Sequence, residues 1–293
     1  MNILETSNRV FNTMKQLDLD WSVEKAPLFT GDKVEAEGYF ALQRSDNRNI
    51  LGVVTDRYEP YQNDSLVELA YLLSDQHSDL KVTYGGHFNG GRQVYVQLSL
   101  PTKSLTLPNT PEDVAFRYIT VLNGHDGKHA LRFGYTNKLM SCKNMFSSQA
   151  KSMQYGICHS RNMDQRVDGI LEELRLIRTQ EENFYVLANE LASNKIRASK
   201  SLIDKYAHEV LGQVHGLDEY STRFTNTLAA LKSAINTELD AKGKTAWGLF
   251  NGVTYYTTHI SRLRNKENAR LESKMVGSSM KMDNRALELA LKL

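Results

Sequence analysis

The residues whose types could carry out chemistry lie close together near the middle of the chain. An imidazole beside a carboxylate can serve as a general base, and a cysteine thiolate is a nucleophile or, together with histidine, a zinc ligand. The side chains of these types are His125, Asp126, His129, Cys142, Cys158 and His159. Their spacing decides which of these chemistries is available.

A structural zinc site usually takes four ligands in closely spaced pairs, such as C-x-x-C. Only Cys158 and His159 are that close, and neighbouring residues of a strand point to opposite faces. We therefore predict no metal site and no cofactor, and we expect a protein that is not an enzyme. An enzyme built on His125, Asp126 and Cys142 is the alternative that stays open.

Two further motifs resemble ligand-binding sequences. Gly243-Lys244-Thr245 resembles the end of a phosphate-binding loop, but Glu238 stands where that loop needs its first glycine. The triplet instead predicts a helix that ends at Gly243 and a helix with its N-cap at Thr245. At the Asp56-Arg57-Tyr58 junction, Arg57 could contact a phosphate and Tyr58 could stack on a base, or the ring could simply pack against a helix.

A basic hairpin is the strongest candidate for binding. Two apolar runs, Val114–Leu122 and Ala130–Tyr135, flank the turn composition of Asn123–Lys128. Cations bind phosphates and flat rings stack on bases, which is what single-strand binding requires. The alternative is a solvated sheet face whose aromatic side chains fill the core. The predicted nucleic-acid contacts are Arg57, Tyr58, Arg117, Lys128, Arg132, Phe133, Tyr135, Lys138 and Lys143.

The elements that must position these residues change in type along the chain. Alternating strands dominate up to about residue 160, and apolar residues at helical spacing dominate after Arg161. This order predicts an α+β fold, with a twisted antiparallel sheet and flanking helices in the N-terminal half and a helical C-terminal region. We expect a sheet domain at 1–160 and a helical region at 161–293 packed on it, which could also form one continuous domain. Predicted boundaries include a helix Ser65–Asp75 capped by Asn63 or Asp64, a loop Pro101–Asp113 and an interruption at Pro27.

Composition narrows the class of protein. The 293 residues are 41% hydrophobic and 24% charged with a net charge of +2, which is typical of a globular protein and says nothing about partners. No apolar run approaches the roughly 20 residues that span a bilayer, so we expect no membrane association. The N-terminus lacks the pattern of a secretory signal, and two cysteines form no disulfide framework, so we expect a cytoplasmic protein.

Several segments in a fixed order resemble a known family. They are Leu51–Asn63, Asn123–Lys128, Lys138–Asn144, His159, Thr245–Thr254, His259 and Arg270–Ser273. Together they resemble the phage- and plasmid-borne family with a domain of unknown function, found in prophages, phages and plasmids. The resemblance implies a mobile-element origin and the host cytoplasm as location, and it supplies no reaction.

Phages often encode single-strand binding and annealing proteins, so the resemblance favours a DNA-binding role. We predict a protein that binds single-stranded DNA and promotes strand annealing in recombination, with a homo-oligomer as a further expectation. The alternative function is a non-enzymatic interaction or structural protein that docks onto a phage or host protein through its C-terminal helices.

Overall fold

The computed structural model describes residues 3–105, 113–139, 145–147, 156–159, 185–213, 220–261 and 269–293. Within these residues the N-terminal half contains two antiparallel sheets, and most helices lie in the C-terminal half. The predicted α+β class is therefore confirmed.

The first sheet has three strands in the order β1-β2-β3, all antiparallel. The strands are β1 (Val23–Phe29), β2 (Glu35–Arg44) and β3 (Ile50–Thr55), and they are flanked by helices α1 (Ile3–Gln16) and α2 (Asn63–Gln76). Helix α2 forms because its apolar side chains recur at helical spacing on one buried face. That face and the sheet enclose part of the first hydrophobic core.

Two predicted boundaries in this region were wrong. Pro27 does not interrupt the strand, because it lies in β1 opposite Phe40, at an edge of the sheet where a missing N–H is tolerated. Helix α2 begins at Asn63, earlier than predicted, and its N-cap is Gln62. The Gln62 side chain makes no hydrogen bond to the start of the helix. Its oxygen accepts from Val23 N–H at 2.9 Å, and its nitrogen donates to the Val23 carbonyl at 3.0 Å.

The second sheet is longer and antiparallel. Among the described residues its order is β4-β5-β6-β7-β8, with β9 also paired to β7. Side chains on both faces of β5 and β6 are buried, so the middle of this sheet has no solvated face. The strands are β4 (Lys81–Phe88), β5 (Gln93–Leu105), β6 (Asp113–Gly124), β7 (Leu131–Leu139), β8 (Met145–Ser147) and β9 (Gly156–Ile157).

The predicted hairpin is present, but its turn lies two residues later in the chain than its sequence suggested. Strand β6 continues through Asn123-Gly124, and the chain reverses at Asp126-Gly127, where Gly127 has φ of +71°. That left-handed conformation favours glycine. Strand β5 also runs past its predicted end to Leu105, so the predicted surface loop was wrong for Pro101–Leu105.

The C-terminal residues form helices around a second core. A helical segment covers 185–193. A π-helical turn (Tyr256–Ile260) follows directly after the helix Ala246–Tyr255. The predicted caps Gly243 and Thr245 are confirmed. The helices are α3 (Lys200–Leu211), α4 (Thr222–Lys242), α5 (Ala246–Tyr255), α6 (Ala269–Val276) and α7 (Ser278–Ala290).

Two features hold these helices together. Helix α5 approaches α4 so closely that a Cβ on Gly252 would overlap the backbone of Ile235. Lys274 of α6 forms a fully buried ion pair with Asp283 of α7 at 2.7 Å, and Thr257 bonds both side chains. Because each charge has a partner, this polar group joins α6, α7 and the π-helical turn without an orphaned ion.

The described residues divide into two compact units. The first contains 3–101, 118–135 and 156–159, and the second contains the rest of the described chain. Residues 102–105 of β5, 113–117 of β6 and 136–139 of β7 thus belong to the second unit. None of the described helices is both long enough and apolar enough to cross a bilayer.

We expect Gly252→Ala to destabilise the protein. The added methyl group would force α5 away from α4, and overpacking of this kind costs about 1–3 kcal/mol. Denaturant unfolding measures the loss. The matched control is Gly31→Ala, where a Cβ would meet nothing within 4 Å. Equal stability of the two variants would contradict the close packing of α4 and α5.

Candidate functional site

Polar side chains of the first unit meet where the β6–β7 turn reaches the start of α2. Most are buried, and they come from segments far apart in sequence. Most also lie within the segments that carry the family resemblance. We call this group the polar hub: Tyr58, Asn63, Asn123, His125, Asp126, His129 and His159.

Asn63 is the centre of the polar hub. Its side-chain nitrogen donates to the carbonyl oxygens of Leu19 at 3.2 Å and Trp21 at 2.8 Å. Its side-chain oxygen lies 2.9 Å from Nε2 of His125, which must therefore donate the hydrogen. One buried amide thus joins the segment after α1, the start of α2 and the β6–β7 turn.

Further bonds attach the β6–β7 hairpin to its surroundings. Asn123 donates to the carbonyl of Tyr61 at 2.8 Å, and the Tyr58 hydroxyl donates to the carbonyl of Gly124 at 2.9 Å. The Tyr58 ring stacks on His159 with centroids 4.9 Å apart. Burial is the main reason that the pKa of Tyr58 is raised, so the hydroxyl stays protonated as the donor.

The turn itself is held by Asp126. One carboxylate oxygen accepts from the backbone N–H groups of Lys128 and His129, and the other lies 2.8 Å from Nδ1 of His129. Burial raises the pKa of Asp126, but the Lys128 amide and the His129 side chain outweigh it, so the pKa lies below its ordinary value. The carboxylate is therefore ionised and fully used in closing the turn.

Both buried histidines of the polar hub are neutral. Burial lowers the pKa of His125 to about 3, and the nearby His159 adds to the effect while Asp126 opposes it. Burial also lowers the pKa of His159 to about 4. His125 is 0% exposed, and its Nδ1 has no hydrogen-bond partner in the described part of the chain. This environment suits a structural clamp better than a base that must reach a substrate.

The alternative enzyme needs His125, Asp126 and Cys142 in one cleft. His125 is sealed from solvent, and Cys142 lies outside the described residues. Within the described ranges no three His, Cys, Asp or Glu side chains are placed to hold a metal ion. A cleft of about 250 Å³ does open beside Asn63, but Asp20 and Asp64 line it, which does not suit a phosphate.

The predicted nucleic-acid contacts differ in how exposed their side chains are. Arg57 and Lys128 are exposed, on two loops that the Tyr58–Gly124 hydrogen bond joins. Arg117 and Arg132 are half-buried. The stacking role predicted for Phe133 needs correction, because its ring is 1% exposed and packs in the first core.

Three predicted contacts cannot be placed at the level of side chains. Tyr135 and Lys138 lie in β7, where only their backbone is described, and Lys143 lies outside the described residues. Tyr58 is half-buried with one ring face against His159, so a base could reach at most its other face.

A second cationic surface lies at the start of two helices in the second unit. Lys195 and Thr245 form an antiparallel bridge, and Ile196 N–H donates to the Lys244 carbonyl at 3.1 Å. Four exposed cations surround this bridge, and none forms an ion pair with a described residue. We call them the basic segment: Lys195, Arg197, Lys200 and Lys244.

The helix starts add to the positive potential of the basic segment. The Ser199 hydroxyl caps α3 by accepting from Leu202 N–H, and the Thr245 hydroxyl caps α5 by accepting from Gly248 N–H. The N-terminus of a helix carries about half a positive charge. The sequence signal for this surface was the N-K-I-R-A-S-K spacing, which lies far in sequence from Lys244 and so did not suggest one surface.

We expect the protein to lose stability as pH falls from about 6.5 towards 4. In that range an unfolded histidine takes up a proton, whereas His125 and His159 stay neutral in the fold, so acid favours unfolding. In His125→Gln the amide nitrogen can replace Nε2 as donor to Asn63, and one titrating group is removed. The loss should then be shallower by up to about 1.4 kcal/mol per pH unit.

Denaturant unfolding at several pH values measures this slope. His77→Gln, a change at the half-exposed C-cap of α2, is the matched control and should leave the slope near that of the wild type. Parallel curves for the wild type and His125→Gln would show that His125 is not held neutral by burial.

Comparison with known proteins identifies a family and no function. No curated protein and no solved structure matches the chain significantly. One family model, described as "Domain of unknown function (DUF932)", matches residues 50–276. This range includes the polar hub and the basic segment, and it covers about three quarters of the sequence. The chain therefore belongs to the DUF932 family.

Proposed function

We propose that this protein binds nucleic acid, with single-stranded DNA as the preferred ligand, and that it serves a phage or other mobile element in the host cytoplasm. The observation that supports this proposal best is the basic segment. Its four cations are exposed and lack acidic partners among the described residues. Strand annealing in recombination is the process we assign to it.

The electrostatics of the basic segment suit a phosphate backbone. An unpaired surface cation that meets a phosphate releases a condensed counterion, and this release drives binding at low salt. Helices α3 and α5 both begin within five residues of the Lys195–Thr245 bridge, so two helix N-termini belong to this part of the chain. The described residues from 185 onward carry thirteen Lys or Arg against eight Asp or Glu, whereas 3–101 carry nine against fourteen.

The preference for single strands is supported by an exposed ring. Tyr84 is 55% exposed, on β4. Bases are free to stack on such rings only when they are not paired in a duplex.

Helix α7 offers little exposed apolar surface for the interaction function that we predicted from the sequence. The apolar side chains of α7 mostly pack against the second core, and the exposed Leu291 and Leu293 follow the end of this helix. More of the exposed apolar side chains lie at the β1–β2 hairpin, which favours an interaction through that hairpin.

We expect the triple variant Lys195→Ala/Arg197→Ala/Lys244→Ala to bind oligonucleotides more weakly. Each lost phosphate contact should reduce the slope of log affinity against log salt by about 0.7 on single strands, so the slope should fall by about 2. Fluorescence anisotropy with labelled single- and double-stranded DNA and RNA across a salt series measures affinity, slope and preference.

Lys15→Ala/Lys81→Ala/Lys281→Ala is the control, because it also removes three exposed cations. It should keep most of the wild-type slope. Absence of binding by the wild type at low salt would refute the proposed function, and equal slopes for both triple variants would refute the role of the basic segment.

A further inference from the structure

The β1–β2 hairpin carries an exposed surface that is both apolar and acidic. Every residue from Phe29 to Glu35 is exposed, and the hairpin closes through Thr30 N–H bonded to the Val34 carbonyl at 2.8 Å. Phe29 and Val34 are 56% and 62% exposed. We call Pro27–Tyr39 the β-arm.

The acidic side chains of the β-arm are unpaired. Asp32, Glu35 and Glu37 are exposed, and none forms an ion pair with a described residue. Glu35 lies directly opposite Phe29 across the two strands, so charge and apolar surface share one face of the hairpin. Exposed apolar groups rimmed by charge are typical of an interaction surface.

The apolar surface continues from the β-arm onto the rest of the first sheet. Tyr39 pairs with Thr55, and Val53, two residues along, pairs with Ala41, so Tyr39 and Val53 lie on one face. Both are more than half exposed, as is Ile50 at the start of β3. Removing such surface from water is favourable by about 25 cal/mol per Å².

We propose that the β-arm binds the basic segment of a second copy of this chain. The two surfaces are complementary in charge: the β-arm presents three unpaired acids against one exposed cation, Lys33, and the basic segment presents four unpaired cations. Both surfaces are exposed in the single chain, so a second copy can supply the opposite charge to each.

Each copy carries both surfaces. Two copies that exchange both contacts form a closed two-fold dimer, whereas one contact with each neighbour repeats into a ring or an open filament. The β-arm would also occupy the cations to which we assign nucleic acid. Competition between the two ligands rests on the proposed function, whereas self-association does not.

A charge exchange tests the pairing directly. Sedimentation velocity at low salt should show concentration-dependent association of the wild type that weakens as salt is added. Glu35→Lys/Glu37→Lys and Lys195→Glu/Arg197→Glu should each be monomeric alone, because like charges then face each other. An equimolar mixture of the two should associate again, because each variant restores the opposite charge for the other.

Glu68→Lys/Glu288→Lys is the control, since it reverses two exposed acids outside the β-arm and should associate like the wild type. Circular dichroism and thermal unfolding establish that each variant is folded. A wild type that stays monomeric at low salt, or a mixture of folded variants that does not associate, would overturn the proposal.

Oligonucleotide binding by the same variants separates the two proposals. Glu35→Lys/Glu37→Lys keeps the basic segment and should bind at least as tightly as the wild type. Lys195→Glu/Arg197→Glu should bind more weakly. If the second variant bound like the wild type while the mixture still associated, the proposed function would fail and the self-association would stand.

Discussion

The hydrogen bonds of the Asn63 amide are the constraint on which the first unit depends. The side chain is buried, donates to two carbonyls of the segment after α1, and accepts from His125 of the β6–β7 turn. Loss of a partner would leave a buried donor or acceptor unpaired, at a cost of about 1–3 kcal/mol for each group. The turn, the start of α2 and the N-terminal segment are therefore held in one arrangement.

This constraint explains why three side chains that could carry out chemistry, those of His125, Asp126 and Tyr58, are occupied by structural contacts. His125 has one nitrogen bonded to Asn63 and is held neutral by burial, and Asp126 uses its carboxylate to close the turn. Tyr58 donates its hydroxyl to Gly124. A catalytic group must meet a substrate, and these groups meet the backbone and one another.

The sequence predicted the local elements well and the long-range polar contacts poorly. Thr245 and Gly243 were predicted correctly as helix caps, because caps depend on neighbouring residues. The role of Asn63 was missed because its partners lie more than forty residues away in both directions. Phe133 was predicted as a stacking ring because alternation shows that a strand has two faces, without showing that both are buried.

The second unit is also held together by buried contacts, and it exposes a basic surface. A buried Lys274–Asp283 pair and the close packing of α4 and α5 fix its helices, and the cations of the basic segment remain outside. The function that we propose rests on exposed charge, whereas in the first unit the segments that carry the family resemblance contribute mainly to the framework.

The central claim is that Asn63 and His125 act as one structural unit. A double-mutant cycle tests it most directly, with the free energy of unfolding measured for the wild type, Asn63→Ala, His125→Ala and the double variant. We expect a coupling energy between Asn63 and His125 of about 1 kcal/mol or more, as for other buried pairs joined by a hydrogen bond. Single effects that add to within about 0.3 kcal/mol would contradict it.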